Sequence, residues 1–341
     1  MQDTLKLVKQ FFWNSAEHRL RAFWRLVLQS IALFFITTTL SIGVAVLAAL
    51  FQTISGHSAD FVTMMQNAMG GSPVFILLNS GVQLLAVLGS MTLAAWLLDR
   101  RPFADFGLPF NRDWWLDWGF GLGLGALLMA GIFLFELGMG WLTITATWHT
   151  RLPVAFPAAL LLQIALFLLV GISEELLMRG YYLRNLAEGL NFPRLGARGS
   201  LLLAAVLSSA IFGLAHAGNP HADAVSTLNI ALAGIFLGLG YLLTGELAIP
   251  IGLHISWNLF QGNVFGFPVS GLASYTSCFA IKQSGPALWT GGEFGPEAGL
   301  VGLLAIVLGS VLVALWVRWR YGGISLRSSL AIYPTPGEET L

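Results

Sequence analysis

The sequence predicts an all-α fold, a polytopic transmembrane helical bundle of about eight spans with both termini cytoplasmic. Three observations carry this. The 341 residues are 56% hydrophobic and only 10% charged, against about 25% charged in soluble domains, and the mean hydropathy is +0.75. A soluble globule of this length has no use for so much apolar surface. The apolar residues also gather in runs of about 20, the length a helix needs to cross hydrocarbon. Finally, the basic residues sort by side. With the N-terminus in the cytoplasm, Lys6, Lys9, Arg19, Arg21, Arg25, Arg100, Arg101, Arg112, Arg179, Arg184, Arg194, Arg198, Arg318, Arg320 and Arg327 fall on the inner side, 15 of the 17 Lys and Arg. Arg151 and Lys282 remain outside. That bias follows the positive-inside rule and supports an even count.

Along the chain, residues 1–22 place Phe11, Phe12 and Trp13 beside Lys9 and Arg19, as an interfacial amphipathic helix does. The first apolar run lacks a small-residue cleavage site and reads as a retained span. The spans are expected at 27–51, 73–98, 118–142, 156–178, 200–218, 224–244, 247–267 and 298–317. Residues 99–116 form a cytoplasmic connection whose Trp114 and Trp115 suit the headgroup level. Residues 267–297 read as a longer outer loop rich in Gly, Ser and Pro, and the tail after Arg327 as disordered. Gly121 and Gly125, like Gly234 and Gly238, are four apart, a spacing that lets helix backbones approach closely. The chain divides into 1–150 (interfacial helix and three spans), 151–266 (a core of four spans) and 267–341 (outer loop, last span and tail). The expected location is a cell membrane, of the bacterial inner-membrane kind, crossed several times. Zero formal charge argues against a nucleic-acid partner. A single cysteine, Cys278, excludes an intrachain disulfide or a cysteine metal cluster.

Inside this apolar frame a few polar groups stand out. Glu174 and Glu175 are adjacent in LLVGISEELLMRGYYL, with Arg179 one turn on. A carboxylate at the bilayer centre costs at least about 2.5–3.5 kcal/mol, so two acids need partners, water or a role. Glu175 and Arg179 share a helix face and can pair, which leaves Glu174 free to act as a base. Downstream, FGLAH ends in His216, one turn after Phe212, and HISWN puts His254 and Asn258 on one face. Glu174 and His216 lie about equally far from the middle of the turn NFPRLGARG, so an antiparallel hairpin sets them at one height. His254 lies close to its own turn, TGELA, whereas His216 is far from its turn. They meet only if the hairpin of the fourth and fifth spans projects beyond the bilayer, and the expected cavity is then wet from the cytoplasm.

The ordered set Glu-Glu-x-x-x-Arg (174–179), Phe-x-x-x-His (212–216) and His-x-x-x-Asn (254–258) resembles the CPBP family of CAAX proteases and bacteriocin-processing enzymes, also called the ABI family, which includes the type II CAAX prenyl endopeptidases. The resemblance covers about residues 155–266. It implies an intramembrane endopeptidase whose catalytic residues are Glu174, Glu175, Arg179, His216, His254 and Asn258, with Phe212 in the substrate pocket. Its partners are then the lipid bilayer and a membrane-associated peptide or protein, such as a prenylated CAAX-like segment or a leader peptide. In the expected mechanism Glu174, helped by His216, activates water, while His254 and Asn258 stabilise the oxyanion. A metal version, in a family usually labelled metalloproteases, gives zinc the ligands Glu174, His216 and His254. Two other classes stay open: a non-catalytic scaffold or immunity protein, and a proton- or ion-coupled transporter.

Overall fold

The structure, a computed structural model, describes residues 9–54 and 73–334. Among the described residues seven helices are long and apolar enough to cross a membrane: Ala22–Leu47, Phe75–Asp99, Arg112–Gly138, Phe156–Gly189, Gly196–Ala215, Ala224–Thr244 and Leu300–Tyr321. The elements they belong to are α1 (Ala22–Ile54), α2 (Pro73–Ala94), α3 (Arg112–Gly138), α4 (Phe156–Glu175), α5 (Arg184–Gly189), α6 (Gly196–Ala215), α7 (Ala224–Thr244), α8 (Ala248–Asn258) and α9 (Leu300–Tyr321). α4 and α5 are joined without a break by a π-helical stretch, Leu176–Leu183. Together they form one 34-residue rod, roughly 50 Å long at 1.5 Å per residue. That exceeds the roughly 30 Å of bilayer hydrocarbon.

Four expectations need correcting. The seventh expected span, 247–267, is shorter. α8 and the π-helical Leu259–Val264 end it before Phe265, and every residue of α8 is buried. It runs through the middle of the bundle rather than facing lipid. The N-terminal segment is not one helix: residues 9–12 are helical, but β1 (Trp13–Asn14) then pairs with β2 (Arg19–Leu20). Asn14 holds that turn by accepting a bond from the Ala16 amide at 3.1 Å, and Arg19 is drawn inward to Glu188 at 2.8 Å. Residues 1–8 lie outside the described part. Between α3 and α4, β3 (Leu142–Thr150) pairs antiparallel with β4 (Thr276–Gln283), so the expected outer loop contains a strand, and the first and third sections of the chain share a sheet. The tail turns back onto the bundle: Leu330 and Ala331 are buried, and Asn191 donates to the Ala331 carbonyl at 3.0 Å.

α3 begins at Arg112, six residues before the expected span, because the Asn111 side chain caps it, accepting from the Trp114 amide at 2.8 Å. Trp114 is consequently buried and donates to the Gly107 carbonyl, whereas Trp115 is exposed. The closest helix pair is α3 against α8. A Cβ on Gly121 would lie 2.5 Å from the Ile249 carbonyl oxygen, and one on Gly252 would lie 2.3 Å from that of Trp118. Only hydrogen fits at such crossings. This contact fixes α8, and with it His254 and Asn258, inside the bundle.

Candidate active site

Glu174 and Glu175 close α4, and the π-helical stretch begins at the next residue. His254 and Asn258 likewise sit on α8 just before the second π-helical stretch. Such widened turns are rare and collect at functional sites. Here each one follows a polar pair on the helix before it.

Glu175 is fully buried. Its Oε1 accepts from Arg179 Nη1 at 2.8 Å and contacts His254 Nδ1 at 2.7 Å. Arg179, 1% exposed, spends its other arm on the Gly234 carbonyl at 2.8 Å. Its guanidinium lies 4.6 Å over the Phe212 ring. The cation is thus neutralised, hydrogen-bonded and stacked, the conditions under which burying a charge is tolerated. Gly238, one turn from Gly234, has no side chain where Arg179 passes; a Cβ there would sit 3.9 Å from Nε.

Because Glu175 accepts at Nδ1, the neutral imidazole of His254 carries its proton there and turns an Nε2 lone pair outward. Nε2 stands 3.8 Å from Glu174 Oε2. That oxygen has no hydrogen-bond partner among the described residues, and the Glu174 side chain is 32% exposed. A gap of this width between two acceptors suits one bridging water. Glu174 therefore has His254 as its nearest imidazole. His216 caps α6, with Nδ1 2.8 Å from the Phe212 carbonyl and its ring stacked 4.7 Å from the Phe212 ring. That bond also places the proton of neutral His216 on Nδ1 and leaves Nε2 free.

All these groups except Glu175 and Arg179 line one cavity of about 550 Å³, Asn258 and Phe212 among them. Gln163 of α4 and Met178 of the π-helical stretch mark its extent along the long rod, and Ile76, Ser80 and Gln83 of α2 form part of its wall. Asn219, Ser270, Tyr275 and Glu297 line its other end. The cavity therefore reaches toward the loops beside β3 and β4, the side that the arginine pattern puts outside. The turns at 191–199 and 245–247 are not among its lining.

Glu297 is a pocket residue that sequence reasoning missed. It is 5% exposed, and its Oε2 accepts from both the amide (2.6 Å) and hydroxyl (3.0 Å) of Ser270. Burial pushes its carboxyl above the ordinary value, and the Ser270 bonds work against that shift. Nothing in GGEFGPEAGL distinguishes it from Glu293, whose side chain is 83% exposed and pairs with His221. Asn219 donates to the Ser270 carbonyl at 2.9 Å.

The zinc set has suitable donor chemistry, since both histidines turn Nε2 lone pairs away from hydrogen-bonded Nδ1 atoms. Its spacing does not close: among the described residues no three His, Cys, Asp or Glu side chains form a group that could hold a metal ion.

Comparison with known proteins gives one match. Residues 155–260 fit the family described as type II CAAX prenyl endopeptidase Rce1-like. The matched segment runs from the start of α4 through α8 and contains all six expected catalytic residues. No curated protein and no solved structure matches.

Proposed function

We propose, from the match of residues 155–260 to the Rce1-like family of type II CAAX prenyl endopeptidases, that this chain is an intramembrane endopeptidase that hydrolyses a peptide bond of a membrane-associated substrate with a water held between Glu174 and His254. The observation that supports it is the 3.8 Å gap between Glu174 Oε2 and His254 Nε2, in a cavity lined by Asn258 and His216.

In this mechanism Glu174 takes a proton from the water, and the hydroxide oxygen bonds to the substrate carbonyl carbon. The carbonyl electrons move onto oxygen, and Glu174 then returns the proton to the amine nitrogen as the C–N bond breaks. The products are a carboxylic acid and an amine. His254 Nε2 fixes the second side of the water, and Glu175, clamped by Arg179, fixes His254. Asn258 offers an amide N–H to the developing oxyanion; one such donor is typically worth about 2.7–4 kcal/mol. His254 here belongs with Glu174, a different division of labour from the sequence expectation, which pairs Glu174 with His216.

The test compares peptides in membranes that hold the wild type with those that hold Glu174→Gln. A membrane peptide accumulating only with the mutant is expected and names the substrate. Identical profiles would favour the scaffold class. Bound metal measured in active protein decides the zinc version; full activity after exhaustive chelation would remove it.

A further inference from the structure

The segment around Glu297 lies outside the family match, yet it reaches the same cavity as His216. His216 is the C-cap of α6, one residue past its last turn, so the loop that follows decides where its ring sits. That loop is built in steps. The Asn219 amide donates to the His216 carbonyl at 3.0 Å, and the Asn219 side chain donates to the Ser270 carbonyl at 2.9 Å. Ser270 then donates both its amide and its hydroxyl to Glu297 Oε2. Gln261, from the π-helical stretch after α8, lies against the same carboxyl.

The backbones are in contact as well. Gly271 donates to the Phe294 carbonyl at 2.8 Å. A Cβ on Gly271 would meet the Pro220 carbonyl oxygen at 1.9 Å. Ser270 has φ of 47° and His221 has φ of 59°, left-handed conformations that an L side chain holds only where its surroundings over-determine them. One carboxylate oxygen thus gathers the donors that hold two strained loops together. With Ser270 on one oxygen and Gln261 beside the group, Glu297 is engaged by protein rather than offered to a ligand.

We propose that Glu297 is a positioning residue for the candidate cleavage site, acting through Ser270 and Asn219 to hold His216 over the cavity. This rests on the cavity being the site of cleavage, and one of its two readouts does not depend on that. The first readout is the rate at which diethyl pyrocarbonate modifies His216 in the purified full-length protein, followed by mass spectrometry, with His254 as internal reference. Both imidazoles line the same cavity but stand on different helices, so general loosening moves both.

Glu297→Ala should change the His216 rate about fivefold or more relative to His254, and Asn219→Ala should do the same. The double variant should add little, because both break one chain of bonds. Glu297→Gln should restore the wild-type rate, because its amide oxygen still accepts from Ser270. Its NH2 can meet Gln261 Oε1, which is buried without a partner. The second readout is cleavage of the peptide that accumulates with Glu174→Gln: Glu297→Ala should lower kcat about tenfold or more with KM little changed, the signature of a misplaced group. An unchanged His216 rate, equal movement of His254, failure of Glu297→Gln to rescue, or additivity in the double variant would each overturn the proposal. If Glu174→Gln proves fully active, the proteolytic reading fails while the His216 rates still decide this one.

Discussion

Glu175 and Arg179 are the residues whose burial most needs its partner. Replacing Arg179 with Met leaves the buried Glu175 with His254 alone, and breaking a buried pair from one side typically costs about 3–5 kcal/mol. Thermal unfolding in detergent should therefore show Arg179→Met far less stable than the wild type; an unchanged midpoint would contradict the clamp. At Glu297 the sign of a pH effect follows from its environment. Burial raises its carboxyl in the fold, so the folded state holds the proton more tightly than the unfolded chain. Its stabilising contribution is complete below the ordinary carboxylate value and is lost as pH rises through the raised one. Wild-type stability should therefore fall across that window relative to Glu297→Gln, and parallel melting curves would refute it. The Glu175–Arg179 pair was legible in sequence because four residues on a helix make neighbours. The bond from His254 to Glu175 was not, because it joins residues 79 apart.

At the scale of elements, the crossing of α3 and α8 sets the position of His254 and Asn258. A Cβ on Gly125 would lie 2.2 Å from Ser256 Oγ and 2.8 Å from the Leu253 carbonyl oxygen. Gly125→Leu should destabilise by about 1–3 kcal/mol, as overpacking does, and should disable cleavage by moving α8. Gly123→Leu, on the same helix with open space at its Cβ, should do neither. Equal effects from the two would mean that the crossing is not what matters. The four-residue glycine spacing announced this contact. The π-helical stretches after Glu175 and Asn258 left no mark in the sequence, since no composition separates them from α-helix. The β3–β4 pair was overlooked for another reason. LTITATWHT alternates β-branched and aromatic residues like a strand, but a search for long apolar runs passes over it.

For the molecule as a whole, a buried ionic cluster ties the chain's distant parts together. Glu188 accepts from Arg19 (2.8 Å), Arg25 (3.2 Å) and Arg101 (2.5 Å), and Arg25 also reaches Asp99 at 2.6 Å. The Arg19 guanidinium lies 3.4 Å over the Tyr333 ring of the tail. These arginines entered the sequence reading as markers of membrane side, and three of them prove to be buried among acids. These three partners of Glu188 stand between 87 and 169 residues from it, beyond the reach of any local pattern, and only Arg184, one turn before it at 3.5 Å, is a local partner. Glu188→Ala would take a shared anion from three buried cations and leave Arg101 with no ion pair among the described residues, so the variant should accumulate poorly in membranes and unfold early. Normal abundance with a wild-type melting midpoint would show the cluster to be dispensable.

The account's central claim is that Glu174 activates water for peptide hydrolysis. It is tested most directly with purified full-length protein in lipid nanodiscs, given the accumulating peptide in water labelled with heavy oxygen. The wild type should place the label in the new carboxyl terminus, and Glu174→Gln should release no labelled product while keeping its fold. Cleavage by Glu174→Gln at the wild-type rate would contradict the claim.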